Sequence, residues 1–143
     1  MEVSEVRRRL RGAIERAREQ AAARRERSDA AARAYETFLQ ERAVPMFRMF
    51  ANALSAEGHH HFEVFTPTDS VRLASQKSPA DYIELLLDTD ADPPQVIGRS
   101  SRGRGRRSVT DERPLRRGTA VSDLTDEDVL AFLAEEILPF VER

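Results

Sequence analysis

The densest group of side chains with binding chemistry is a run of arginines in the last third of the chain. Guanidinium groups form paired hydrogen bonds with phosphates and carboxylates, and the small glycine and serine residues between them allow a backbone to come close. Such a cluster is typical of a site for a polyanion or for an acidic partner. Its members are Arg99, Arg102, Arg104, Arg106 and Arg107.

Because clustered cations repel one another, we expect an anion beside these arginines. One candidate is the phosphate backbone of a nucleic acid, although the segment lacks aromatic residues on which bases could stack. The other candidate is an acidic segment of the same chain or of a protein partner, and this is the interpretation we favour. The acids of the chain that could serve are Asp126, Glu127, Asp128, Glu135 and Glu136.

Three consecutive histidines, His59 to His61, could hold a metal ion only with further ligands. The chain has no cysteine and no other histidine, so a site would need carboxylates that the fold happens to bring near. The segment from Asp88 to Asp92 has the odd spacing of a calcium loop. It lacks the central glycine and the distal glutamate, and two prolines follow it. We therefore expect polar turns at both places and no metal.

No set of catalytic residues converges in the sequence. The lack of cysteine excludes thiol nucleophiles and disulfides, and no serine lies in a nucleophile elbow. The stretch from Gly103 to Gly105 lacks the lysine and the strand-to-helix setting of a phosphate loop. We expect a protein that is not an enzyme and uses no cofactor.

The length of 143 residues favours one compact domain. The formal net charge is −2, but the charge is segregated: residues 1–58 and 99–117 are basic, and residues 59–98 and 118–143 are acidic. The N-terminus lacks the apolar segment of a signal peptide, and no apolar run approaches the ~20 residues of a membrane span. We expect a cytoplasmic protein that makes no contact with membranes.

Residues 1–42 are dominated by alanine, arginine and glutamate and predict a projecting helical arm. A helix of this length extends roughly 60 Å, which is more than the remaining chain can cover. Apolar residues recur along it at alternating intervals of three and four residues, the pattern of a helix that pairs with another chain. The residues predicted to mediate self-association are Val3, Val6, Leu10, Ala13 and Ala17.

A break at Ser28-Asp29 would instead produce a helical hairpin, since either residue can cap a second helix. One long helix is preferred because no glycine, asparagine or proline occurs there. Further along, an apolar stripe at helical spacing should carry the helix into the core. We expect a kink at Pro45 and a helix end at Gly58.

Five strands are predicted between the histidines and Pro114, from alternating apolar residues separated by turn residues. They cover residues 61–66, 70–75, 81–89, 95–102 and 106–113, and the last hairpin turns at Gly103 to Gly105. The leucine-rich third segment could also form a short helix. An amphipathic helix over residues 126–142, capped by Thr125, should pack on the sheet.

Together these patterns predict an α+β fold with a long, kinked N-terminal helix, an antiparallel sheet of four to five strands and a C-terminal amphipathic helix packed on the sheet. Residues 1–42 would form the arm and residues 43–143 the globular body. The expected function is that of a non-catalytic cytoplasmic interaction protein that self-associates, or binds a protein partner, through its N-terminal helix. The alternative is a nucleic-acid-associated protein that uses the arginine-rich hairpin over residues 99–107.

Overall fold

The computed structural model describes residues 1–142 and shows an α+β fold. A π-helical turn, Leu39–Ala43, joins the first two helices, and a 3-10 helix, Val121–Asp123, precedes the third. The helices are α1 (Val3–Phe38), α2 (Val44–Ala56), α3 (Asp126–Glu136) and α4 (Leu138–Val141). The strands are β1 (Phe62–Phe65), β2 (Ser70–Ser75), β3 (Tyr82–Asp88), β4 (Gln95–Arg104) and β5 (Arg107–Pro114).

α1 is one helix of 36 residues, not a helical hairpin. Ser28 and Asp29 lie inside it, because the surrounding alanine, arginine and glutamate favour helix and no glycine or proline offers a break. The interruption expected at Pro45 takes the form of the π-helical turn just before it, where the Val44 amide bonds to the Leu39 carbonyl. Proline has no amide hydrogen and its ring crowds the preceding turn, so the hydrogen-bond ladder must change there.

The five strands form an antiparallel meander in the order β1-β2-β3-β4-β5. β2 covers the predicted residues, and the leucine-rich third segment is a strand. The last hairpin is longer than predicted: β4 continues to Arg104, which pairs with Arg107, so the turn narrows to Gly105 and Arg106. Gly105 has a φ of 63°, a left-handed conformation that glycine adopts without steric cost.

The core lies between one face of the sheet and the helices. Leu73, Ile83 and Leu85 point from this face into one apolar cluster with Phe47 of α2 and Leu133 of α3. These five side chains are almost fully buried. Burial of a large apolar side chain contributes about 1.5–3 kcal/mol, so this cluster holds the sheet and both helices together.

α3 approaches β4 closely at Gly98. A Cβ atom there would lie 2.1 Å from Cε1 of Phe132, so only glycine allows the ring to rest on the strand. Gly58 ends α2 as predicted, with a φ of 96°.

The predicted start of the C-terminal helix is confirmed, whereas the prediction of one continuous helix to residue 142 is wrong. Thr125 caps α3 in a capping box: its side-chain oxygen accepts from the Asp128 amide, and its own amide donates to the Asp128 carboxylate. The helix ends at Glu136, and α4 starts separately at Leu138. Pro139 lies in the first turn of α4, where its missing amide hydrogen cannot continue the ladder of α3.

Candidate functional site

The outer segment of α1, defined as residues 3–23, keeps its apolar side chains in solvent. Val3 is 74 % exposed, Val6 49 % and Leu10 58 %. Ile14, at 41 % exposed, belongs to the same surface and was missed from the sequence. Its position four residues after Leu10 was the signal that could have found it, because side chains at that spacing share a helix face.

The inner segment of α1, defined as residues 24–38, lies on the body. Ala31 and Ala34 are partly buried against the core, and Tyr35 and Phe38 are buried in it. The Tyr35 hydroxyl donates to the Asp69 carbonyl at 2.6 Å. Burial, and then the nearby carboxylate of Asp69, raise the pKa of Tyr35, so the hydroxyl keeps its proton and remains a donor. The helix therefore enters the core before residue 43.

A charged tether marks where the inner segment begins. The Arg27 guanidinium donates twice to Asp92, from Nε to Oδ1 at 3.0 Å and from Nη2 to Oδ2 at 2.9 Å. Arg24 Nε lies 3.5 Å from Asp92 Oδ2. The hydrogen bonds from Arg27 lower the pKa of Asp92, and the carboxylate in turn raises the pKa of Arg27. The segment from Asp88 to Asp92, which has the spacing of a calcium loop, is therefore a turn that contacts α1 through Asp92.

One heptad pattern runs through both segments. In the outer segment its core positions are Val3, Val6, Leu10, Ala13, Ala17 and Gln20, and in the inner segment they are Arg24, Arg27, Ala31, Ala34 and Phe38. The same stripe that contacts the body thus continues beyond it without a partner among residues 1–142. The predicted self-association residues all lie in this continuation.

Arg99 is partly buried on the sheet, between two carboxylates. The register places it between Glu84 of β3 and Glu112 of β5, with Arg72 of β2 on the far side of Glu84. Glu84 is only 5 % exposed, accepts from Arg72 Nε at 2.6 Å and lies 3.9 Å from Arg99 Nη1. Arg99 Nε also donates to Glu112 at 2.8 Å, and this bond raises the pKa of Arg99. Arg99 therefore serves to balance a buried carboxylate.

The other four arginines of the cluster form what we call the basic tip. They are Arg102, Arg104, Arg106 and Arg107, at and beside the turn of the last hairpin. Arg104 and Arg107 are paired across the strands, so their charges are near one another. Within residues 1–142 none of the four forms an ion pair. The basic tip can therefore accept an external anion.

The acids of α3 are used by other arginines. The Arg113 guanidinium lies over the ring of Phe132, 5.0 Å from the ring centroid, and this contact holds it beside α3. The pairs are Arg42 with Asp126, Arg116 with Asp128, and Arg113 with Glu135 and Glu136. Four of the five acids expected to face the arginine cluster are thus paired with other arginines. Within residues 1–142, none of the five forms an ion pair with the basic tip.

The histidine turn connects α2 to β1. Nδ1 of His60 lies 2.8 Å from Oγ of Ser55. His59 and His61 line a cavity together with Lys77. Across residues 1–142, no three histidine or carboxylate side chains are placed to share a metal ion.

Comparisons with known proteins assign no family: no family model, no curated protein and no solved structure matches the chain. None of the helices within residues 1–142 has both the length and the apolar character needed to cross a bilayer.

Proposed function

We propose that this chain is a non-catalytic cytoplasmic interaction protein that self-associates through the outer segment of α1. The observation that carries the proposal is the exposed apolar stripe of Val3, Val6 and Leu10 on a helix that extends past its own body. An isolated helix is only marginally stable in water. Heptad-spaced apolar residues gain burial when a second helix covers them.

A second copy of the chain fits this stripe. Residues 1–23 carry six arginines and four glutamates, so two outer segments present both signs of charge to each other. In a parallel pair in register, Glu2 would face Arg7 of the second copy and Arg9 would face its Ile14, so the flanking positions bring no like charges together. Two copies of the stripe are therefore compatible with each other in charge as well as in spacing.

The pairing surface is thin. Ala13 and Ala17 bury little area, and Gln20 is polar. Beyond that point Arg24 and Arg27 are already engaged by Asp92. We expect a weak, reversible dimer limited to the outer segment.

The test is the mass in solution of two matched variants. Val6→Asn/Leu10→Asn places polar side chains on the stripe. Arg8→Asn/Glu15→Asn places the same residue type on the opposite helix face and leaves the net charge unchanged. By light scattering, the wild type and the Arg8/Glu15 variant should exceed the chain mass of 16.2 kDa at high concentration, and the Val6/Leu10 variant should not. Equal association of both variants would contradict the proposal.

The second candidate function is association with nucleic acid through the last hairpin. It is favoured by the four arginines of the basic tip, which have no ion pair within residues 1–142. Because no pair is broken, Arg104→Gln/Arg106→Gln/Arg107→Gln should keep the stability of the wild type. It should lose affinity for all nucleic-acid sequences alike, since phosphate contacts do not read sequence. A loss of stability without any change in binding would contradict this function.

A further inference from the structure

The last hairpin and the histidine turn both contact the loop before β3, at one end of the sheet. The Gly103 amide donates to Asp81 Oδ1 at 2.7 Å. A Cβ atom at Gly103 would lie 3.4 Å from that of Ala80, so the hairpin backbone packs directly on the loop before β3. The same loop forms one wall of a cavity, and the histidine turn forms another.

This cavity has the size of a small-ligand pocket. Its volume is 410 Å³, within the range of roughly 300–1,000 Å³ that is usual for such pockets. Its lining includes His59, His61, Lys77, Ser78 and Phe140. It thus combines flat rings, a cation and a hydroxyl.

The rings at this cavity form a connected set. The His61 ring lies 4.4 Å from that of Phe62 and 6.3 Å from that of His59, and Phe62 meets Phe140 edge-on at 6.3 Å. Burial, and then the charge of Lys77, lower the pKa of His61, so its imidazole is neutral at neutral pH. A neutral imidazole offers a face for stacking without a charge of its own.

The charge at this end is predominantly positive. Lys77 joins the four arginines of the basic tip, and Asp81 is the one acid among the described residues that line the cavity. One oxygen of Asp81 is already occupied by the Gly103 amide. The cavity itself holds one cation and one acid, so the excess of positive charge at this end comes from the four arginines of the basic tip beside it. A cluster of one sign of charge raises the local concentration of the opposite sign, so this end attracts anions.

We infer that the basic tip and the cavity form one site for single-stranded nucleic acid. Phosphates lie along Arg102, Arg104, Arg106 and Arg107, and one unstacked base enters the cavity against the rings of His59 and His61. The inference rests on the second candidate function and adds two things to it: a place for a base, and a preference for single strands.

The ring-lined cavity is what distinguishes this ligand from other polyanions. A basic ribbon alone binds any dense negative charge. A base can reach the cavity only when it is not paired within a duplex, and stacking on a side-chain ring tolerates any base. The aromatic groups missing from the arginine segment are thus supplied by a different part of the chain.

The experiment measures binding of the full chain to fluorescein-labelled oligothymidylate and oligouridylate of about 12 nucleotides, a length typical of single-strand sites. A duplex of the same length and unlabelled polyaspartate serve as comparisons. We expect tighter binding to the single strands than to the duplex, and poor competition by polyaspartate. The affinity should fall with salt at a logarithmic slope of about −2 to −3, as expected for three or four phosphate contacts. A higher affinity for one of the two oligonucleotides would show whether the site prefers DNA or RNA.

Two variants test the two parts of the site. Arg104→Gln/Arg106→Gln/Arg107→Gln should flatten the salt slope by about two. Its matched control, Arg7→Gln/Arg8→Gln/Arg11→Gln in α1, removes the same charge and should leave the slope unchanged. His59→Ala/His61→Ala should weaken single-strand binding about tenfold through the loss of one stacked base. Its control, His60→Ala, should not. Should the double histidine variant fail to fold, Lys77→Gln tests the cavity separately. Lys77 would contact the phosphate of the nucleotide whose base enters the cavity, so its loss should reduce the slope by about 0.7.

The outcomes distinguish the composite site, which consists of the basic tip and the cavity, from the second candidate function, which needs the basic tip alone. Equal binding of single strand and duplex, unaffected by the cavity variants, would overturn the composite site and leave the second candidate function standing. Competition by polyaspartate equal to that of the oligonucleotide would overturn the composite site as well. No binding of any nucleic acid would overturn both.

Discussion

The inner segment of α1 packs on its own body, whereas the outer segment carries the same heptad pattern into solvent. Phe38, at the inner end, is 4 % exposed, and Val3, at the outer end, is 74 % exposed. Both occupy the same kind of position in the repeat. The same sequence pattern is therefore compatible with a buried and with an exposed helix face, and the extent of the body decides which of the two occurs. Under the proposed function, a second copy of the chain covers the outer segment.

The largest expected effect breaks the inner contact. Phe38→Ala removes a buried ring from the core cluster, and truncations of this kind cost about 3–5 kcal/mol. Chemical denaturation should show this loss in the free energy of unfolding. The matched change in the outer segment, Leu10→Ala, should leave the unfolding of the body within about 0.5 kcal/mol of the wild type, as is usual at exposed positions. A loss below about 1 kcal/mol for Phe38→Ala would place the inner segment outside the core.

A second change removes the outer segment altogether. Deletion of residues 1–23 leaves Arg24, Arg27 and the buried part of α1 in place. We expect a folded body with an unchanged denaturant slope, because little surface that is buried in the monomer is lost. Its mass should stay that of a monomer at all concentrations. Aggregation or loss of cooperative unfolding would show that the outer segment also supports its own body.

The smallest expected effect concerns the tether between the two segments. Asp92→Asn removes the exposed ion pairs with Arg27 and Arg24, and such pairs contribute little. The pKa of Asp92 is lowered in the folded protein, so its contribution is present above the ordinary value of 3.8 and is lost as the pH falls through the lowered value.

Thermal unfolding tests this pH dependence. The melting temperature of Asp92→Asn should lie slightly below that of the wild type at neutral pH, and the difference should vanish in acid. Asp90→Asn, in the same turn, is the control and should show no difference at either pH. A gap between Asp92→Asn and the wild type that persists in acid would contradict the role of the carboxylate.

Most of the fold could be predicted from local sequence patterns. Turn residues and alternation locate the strands, and Gly58 and Thr125 mark helix ends because their conformations are local properties. The length of β4 could not be predicted, since Arg104 becomes part of a strand only through its pairing with Arg107. The π-helical turn likewise depends on how the long helix accommodates Pro45.

The candidate site could be predicted only in part. The exposed stripe and the arginine cluster follow from spacing and composition. Which arginine is held internally depends on strand register, because Glu84 and Glu112 flank Arg99 only in the folded sheet. The cavity beside the hairpin depends on contacts between distant loops, such as that of Gly103 with Asp81, which no local pattern reports.

The most direct test of self-association is amide hydrogen exchange of the full chain at low and at high protein concentration. Backbone amides are protected when the helix that contains them is packed, so exchange reports each segment of α1 separately. We predict that the inner segment is protected equally at both concentrations. The outer segment should exchange quickly at low concentration and become protected at high concentration. Exchange of the outer segment that does not change with concentration would contradict the proposal that a second copy covers it.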